Sequence, residues 1–235
     1  MEWAGWLFEM ILFEVCGRTE SHPLYQQFAK DNGERQYDFL HSLVSANLAA
    51  GRHFLSAHLL KVLNFQAITC LHTDAGEYRP CAVRVGDYIP PAHYLVQSYV
   101  DDLVNEVNRS WHDAEPIALG AYVLWRVNHI HPFINGNGRT ARAAAHFVIC
   151  LKIHGWPPGR VILPELLHMN RDEYVAALQR ADVSHLAGQL DLRPLIALME
   201  RLLKQQINGA DEEEHDDGWL QLPPPSPGSD EGGAA

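Results

Sequence analysis

One stretch constrains this chain more than any other: His131-Pro132-Phe133-Ile134-Asn135-Gly136-Asn137-Gly138-Arg139-Thr140-Ala141-Arg142, set between two segments of helical spacing. Upstream, Glu115-Pro116 opens a pattern with apolar residues at Ile117, Leu119, Ala121, Leu124, Val127 and Ile130. Pro116 suits a first-turn position, where a missing N–H is no loss. His131 precedes a proline, which disfavours helical backbone at the residue before it, so the helix should stop there. Downstream, Arg139 to Ile153 returns to helical spacing and ends near Gly155, a residue suited to a C-terminal cap. The stretch is expected to be a joint between two helices, with Gly136-Asn137-Gly138 opening the second.

Such a joint favours phosphate. The first turn of a helix has unpaired N–H donors and the positive end of the macrodipole. Gly136 and Gly138 allow close backbone approach or positive φ, and Asn137 adds an amide donor. Arg139 and Arg142 are three apart, hence on one helix face, and both can fork onto phosphate oxygens. His131 is the one residue of the loop able to take a proton near neutral pH, with an ordinary pKa of about 6.5. Its place at a helix C-terminus should make it a somewhat better base.

These twelve residues resemble the signature of the Fic family, HPFx[D/E]GNGRxxR. The resemblance extends over residues 50–205. Gly76-Glu77-Tyr78-Arg79 and Val83-Arg84-Val85-Gly86 look like the family's β-hairpin flap, and Ile89-Pro90-Pro91 with the segment to Asn108 like the stretch after that flap. Tyr174-Val175-Ala176-Ala177-Leu178 is similar to a later helix of the family. The resemblance implies a protein adenylyltransferase that moves AMP from ATP to a Ser, Thr or Tyr hydroxyl of a target protein, with Mg²⁺ or Mn²⁺. It implies His131 as general base, Gly136, Asn137, Gly138, Arg139 and Arg142 as the nucleotide site, and a flap of Tyr78, Arg79, Val83 and Val85 that docks the target by strand pairing.

Asn135 departs from the pattern, standing where most active members carry an acidic metal ligand. A carboxamide offers a carbonyl oxygen but no charge, and magnesium prefers hard, usually anionic oxygens plus phosphates. Two further readings stay open beside AMP transfer. One is another phosphate-containing donor, such as UTP, GTP or CDP-choline. The other is a catalytically weak module that binds nucleotide or protein. Family members are often held off by a helix carrying S/T-x-x-x-E-G/N, whose glutamate pairs with the arginine that is Arg142 here. Thr73-Asp74-Ala75-Gly76-Glu77 matches only in part and reads as coincidence, so an inhibitor would be a separate, antitoxin-like protein.

The rest of the chain sets bounds. A length of 235 residues suits one ordinary domain with tails: an N-terminal helical region over 1–49, the Fic-type domain over 50–208, and a tail over 209–235. A net charge of −11 argues against a general nucleic-acid binder. Much of it lies in Asp211-Glu212-Glu213-Glu214-His215-Asp216-Asp217, which opens a Pro- and Gly-rich tail expected to be disordered. Cys16, Cys70, Cys81 and Cys150 form no CxxC pair, so reduced thiols and a cytoplasmic setting are expected, with delivery into a host or neighbouring cell as the variant. Trp3 to Val15 is apolar but falls short of the ~20 residues of a membrane span, and suits a helix packed on the core. Spacing predicts further helices over Tyr37–Leu48, Phe54–Leu71, His93–Asn108, Pro164–Met169, Asp172–Ala181 and Leu192–Ile207. The expected architecture is mainly α, a Fic-type helical bundle with one small β-hairpin flap.

Overall fold

The two helices that flank the signature loop form the centre of the molecule. The computed structural model describes residues 12–216. Its helices are α1 (Leu12–Val15), α2 (Pro23–Ala49), α3 (Ala57–Ile68), α4 (Val96–Arg109), α5 (Pro116–Ile130), α6 (Asn137–Lys152), α7 (Leu163–Met169), α8 (Arg171–Leu186) and α9 (Arg193–Asp216). A single 3-10 turn, His93–Leu95, leads into α4. α5 and α6 pack on each other more extensively than any other pair, and α2, α3, α4, α7, α8 and α9 surround them.

The reason lies in small residues. α6 carries Ala141, Ala143, Ala144 and Ala145, all buried, so neighbouring helices approach it closely. Across the contact, a Cβ added at Gly120 of α5 would stand 2.6 Å from Ile149 Cγ1, so nothing larger than glycine fits without a shift. Trp125, Phe133 and Phe147 are all but fully buried around this pair. Each such side chain contributes about 1.5–3 kcal/mol of apolar burial.

The expected boundaries hold where a cap or proline marks them. Pro116 opens α5 and His131 ends it. Ser56 caps α3 by accepting from the Leu59 N–H, later than the expected start at Phe54. Elsewhere the structure differs. α2 begins fourteen residues before Tyr37, at Pro23, with His22 as its cap. Its early turns escape apolar spacing because Asn32 and Gln36 are buried polar residues, bonded to backbone oxygens of α3 and its C-terminal end. α6 stops at Lys152, and the left-handed residue after it is His154 (φ 57°), not Gly155. α9 runs on to Asp216, through acidic residues that composition assigns to the tail. Most of Trp3–Val15 and the end of the tail lie outside the described residues. Leu12 and Phe13 bond to the backbone of Cys70 and Leu71, and Phe13 stacks against His72.

The expected β-hairpin is not there. The described residues hold no β-strand, and the flap segment makes two isolated bridges, Tyr78 with Phe133 and Val85 with Tyr88. Pro80, Pro90 and Pro91 remove ladder donors on both arms. Arg79 turns inward and binds the carbonyls of Cys81 and Pro91, which gathers the segment into a loop. All four cysteines are free thiols. No helix among the described residues is long and apolar enough to cross a membrane.

Candidate active site

His131 ends α5 in the left-handed region, at φ 51° and ψ 59°, the conformation by which the chain leaves the helix toward Pro132. Two neighbours hold its backbone. The His131 N–H donates to the Val127 oxygen at 2.9 Å, and Arg79 Nε donates to the His131 oxygen at 2.7 Å. Burial holds the ring well below the usual histidine value, at about 4, opposed by a hydrogen bond to the Asn128 backbone and helped by the Arg79 charge. The helix dipole alone would make it a stronger base than an ordinary histidine, and desolvation outweighs the dipole. The ring is therefore neutral at pH 7, the form a general base needs.

The loop behind it is braced from within. Asn137 is buried, and its side chain closes on one residue: its Nδ2 donates to the Phe133 oxygen at 2.8 Å, and its Oδ1 accepts from the Phe133 N–H at 2.9 Å. That amide is spent on the loop, so for phosphate Asn137 offers only its backbone N–H. Gly136 caps α6 at φ 75°, and a Cβ there would meet Ile68 Cγ2 at 2.6 Å. Glycine is required at that position. Gly138 is helical, with space beside it except for Arg142, whose guanidinium would lie 3.4 Å from an added Cβ.

The two arginines part company. One nitrogen of Arg139 donates to the Ala67 oxygen at 2.7 Å, tying α6 to α3, and burial lowers its pKa. Arg142 lies between two cavities. The first, about 290 Å³, is lined by His131, Gly138 and Arg142 together with Val85, Trp125, Tyr174 and Leu178. The second, about 630 Å³, is lined by Arg139, Arg142, Tyr25, Tyr37, Glu20 and His168. Arg142 Nε is buried with no hydrogen-bond partner. A buried guanidinium nitrogen without a partner, set between two cavities, suits an anion that arrives from outside. A wider groove of about 730 Å³ between α7 and α9 shares none of the signature residues.

Several residues near the site escape sequence reasoning. Asp182 of α8 accepts from Trp125 Nε1 at 2.9 Å and lies 2.8 Å from His129 Nδ1, while Tyr88 donates to the His129 oxygen at 2.6 Å. These fix one wall of the smaller cavity. Glu20 comes from before α2, yet Asn135 Nδ2 donates to its Oε1 at 2.8 Å. No local pattern marks a contact across 115 positions. Glu77 pairs with Lys61 at 2.7 Å, which fits the reading of Thr73–Glu77 as coincidence.

In the flap segment, Arg79 is buried, while Val83 is partly exposed and Val85 exposed. Tyr78 packs against Phe133, with ring centroids 5.7 Å apart. The structure thus makes Tyr78 and Arg79 parts of the loop's support, and leaves the backbone of residues 81–85 at the surface.

Whether a divalent cation fits is a question of oxygen donors. Asn135 Oδ1 accepts from the Gly136 N–H at 2.6 Å, and the carboxylate beside Asn135 is that of Glu20. No group of three or more His, Cys, Asp or Glu with metal-site geometry occurs among the described residues. The donors present suit magnesium, which takes one or two carboxylates and completes its shell with phosphates and water.

Residues 54–149 match the family model described as the Fic/DOC family. The chain is 34% identical over 127 residues to "Protein adenylyltransferase Fic" of Drosophila willistoni, covering 52% of this chain and 22% of that protein. It is 35% identical over 124 residues to "Protein adenylyltransferase fic-1" of Caenorhabditis elegans, again 52% of this chain and 22% of the relative. The chain therefore spans about a fifth of the length of these relatives. Among solved structures, a Fic-1 fragment from C. elegans superposes with a TM-score of 0.62 at 23% identity, covering 79% of this chain and 51% of the other. A Fic family protein from Desulfovibrio desulfuricans gives 0.61 at 17% identity, covering 88% and 60%. Both share the fold.

Proposed function

With a Fic/DOC-family domain over residues 54–149 as the premise, we propose that this chain is a protein adenylyltransferase, moving AMP from ATP to a Ser, Thr or Tyr hydroxyl of a target protein. One observation carries the reading: His131, held neutral by burial, shares a cavity of about 290 Å³ with Gly138 and Arg142. A neutral base, a helix start and a guanidinium with one unpartnered nitrogen suit transfer at an α-phosphate.

The residues divide the work. His131 accepts the proton as the target oxygen forms its bond to the α-phosphorus and the bond to pyrophosphate breaks. Backbone N–H groups at the start of α6 hold the α- and β-phosphates. Arg142, with Arg139, binds the β- and γ-phosphates and orients the leaving group for in-line displacement. A divalent cation bound with the nucleotide would neutralise charge on the departing pyrophosphate; the carboxylate that would hold it is that of Glu20, beside Asn135. With Val85 paired to Tyr88 and the Cys81 oxygen taken by Arg79, the backbone of residues 82–84 offers N–H and C=O groups to an extended target segment. Inhibition, if present, comes from a separate protein.

A second reading rests on Asn135. Without the acidic ligand at that position, the same fold could take another donor, such as UTP, GTP or CDP-choline, or bind without chemistry. Incubating the full chain with each labelled donor, Mg²⁺ or Mn²⁺, and a lysate separates these. AMP transfer predicts label retained on protein from α-labelled ATP above all others. Stronger labelling from another donor transfers the assignment to it, and no labelling from any donor favours the binding module.

A further inference from the structure

We propose that Glu20, delivered from outside the signature, is the anionic ligand for the divalent cation at this site, and that Asn135 serves to hold it there. The inference rests on the nucleotidyl-transfer reading and concerns which residue of the chain does what the signature's usual acid does.

Both ends of the Asn135 amide are committed. Its oxygen takes the Gly136 N–H at 2.6 Å, and its nitrogen donates to Glu20 Oε1 at 2.8 Å. An Asp or Glu at 135 would place a second anion against the Glu20 carboxylate, whereas the amide donates to it. Asn135 is thus matched to a carboxylate that arrives from elsewhere. The groups facing Glu20 leave it available. Its nearest ion-pair partner, His72 Nε2, lies 4.0 Å away, and that ring nitrogen is already hydrogen-bonded to the Tyr25 hydroxyl at 2.8 Å. Arg139 feels the Glu20 charge but spends a nitrogen on the Ala67 oxygen. Among the described residues, Glu20 Oε2 has no hydrogen-bond partner, and the side chain is 59% exposed.

Position agrees with this. Glu20 lines the same cavity as Arg139 and Arg142. One carboxylate cannot hold magnesium alone, so binding should require phosphate oxygens. The site is expected to form only when nucleotide is present.

The test is Mn²⁺ binding to the full chain, followed by electron paramagnetic resonance of the free ion, with and without α,β-methylene-ATP. Nucleotide affinity is measured in parallel by calorimetry in EDTA. Glu20→Gln should weaken nucleotide-dependent Mn²⁺ binding by at least about tenfold, the scale seen when metal-site groups are lost. Metal-free nucleotide affinity should not fall, because an exposed side chain is altered. Asn135→Asp in the Glu20→Gln background should restore Mn²⁺ binding by moving the carboxylate back into the loop. Mn²⁺ affinity unchanged in Glu20→Gln, with nucleotide still bound, overturns the Glu20 assignment and leaves the transfer reading intact. Tighter binding of both metal and nucleotide in Glu20→Gln also overturns it, making Glu20 a brake on the site. Failure of the wild type to bind nucleotide with or without Mn²⁺ overturns both readings.

Discussion

The guanidinium of Arg79 donates through Nε to the main-chain oxygen of His131 at 2.7 Å, linking the flap segment directly to the candidate base. The same side chain reaches the oxygens of Cys81 and Pro91, and it is 2% exposed. Arg79→Ala would leave three carbonyls without this donor, at about 1–3 kcal/mol for each that stays dry. We expect a loss of roughly 3 kcal/mol, or a melting temperature lower by about 6–12 °C for a domain of this size. Calorimetry of the two proteins measures it. A shift under about 2 °C would mean that water replaces the guanidinium.

His131 sets the acid limb of activity. Its folded pKa is about 4, so the neutral base persists far below the ordinary histidine range. The kcat/KM profile for transfer should stay flat from pH 7 to about pH 5 and fall as pH approaches about 4. A half-fall near pH 6.5 would show that the ring is solvated in the working enzyme.

Stability should show histidine linkage at a second place. His146 lies in α6, fully buried, with neither ring nitrogen bonded and its ring 4.6 Å from that of Trp156. Its pKa is lowered to about 3 by burial. Between that value and about 6.5 the unfolded chain binds the extra proton, so stability rises with pH across this window and is lost as pH falls through it. His146→Leu should melt at the same temperature as wild type or higher at pH 7, and its advantage should widen at pH 5. Parallel melting curves at pH 7 and pH 5 would contradict the assignment.

Arg142 carries binding more than packing. Its Nε is buried without a partner, so removing it breaks no protein hydrogen bond of that atom and deletes one charge-assisted contact to phosphate. Arg142→Ala should cost about 1.5–3 kcal/mol of nucleotide affinity, roughly 10- to 150-fold in Kd by titration calorimetry. Unchanged affinity would place the phosphates elsewhere.

The central joint is legible in the sequence because its signals are local. Pro116 fixes the start of α5, Pro132 ends it at His131, and the glycines admit the turn into α6. The features that stay hidden depend on distance or on competition. Asn137 looks like a phosphate donor until its amide is seen closed on Phe133. The flap is expected as a hairpin from the family resemblance of Gly76–Arg79 and Val83–Gly86, but the prolines and the inward turn of Arg79 prevent a ladder. Glu20 meets Asn135 between two loops far apart in the chain, and Asp182 meets His129 through the packing of α8 on α5. The base strength of His131 is hidden for the same reason: the dipole is visible locally, and burial is not.

The most direct measurement compares wild type with His131→Ala in transfer of label from α-labelled ATP to protein, with ATP affinity measured on the same samples. General-base catalysis supplies about 10²–10⁴-fold, so transfer should fall by about 10²-fold or more while ATP binding persists. Equal labelling by the two proteins would contradict the account at its centre.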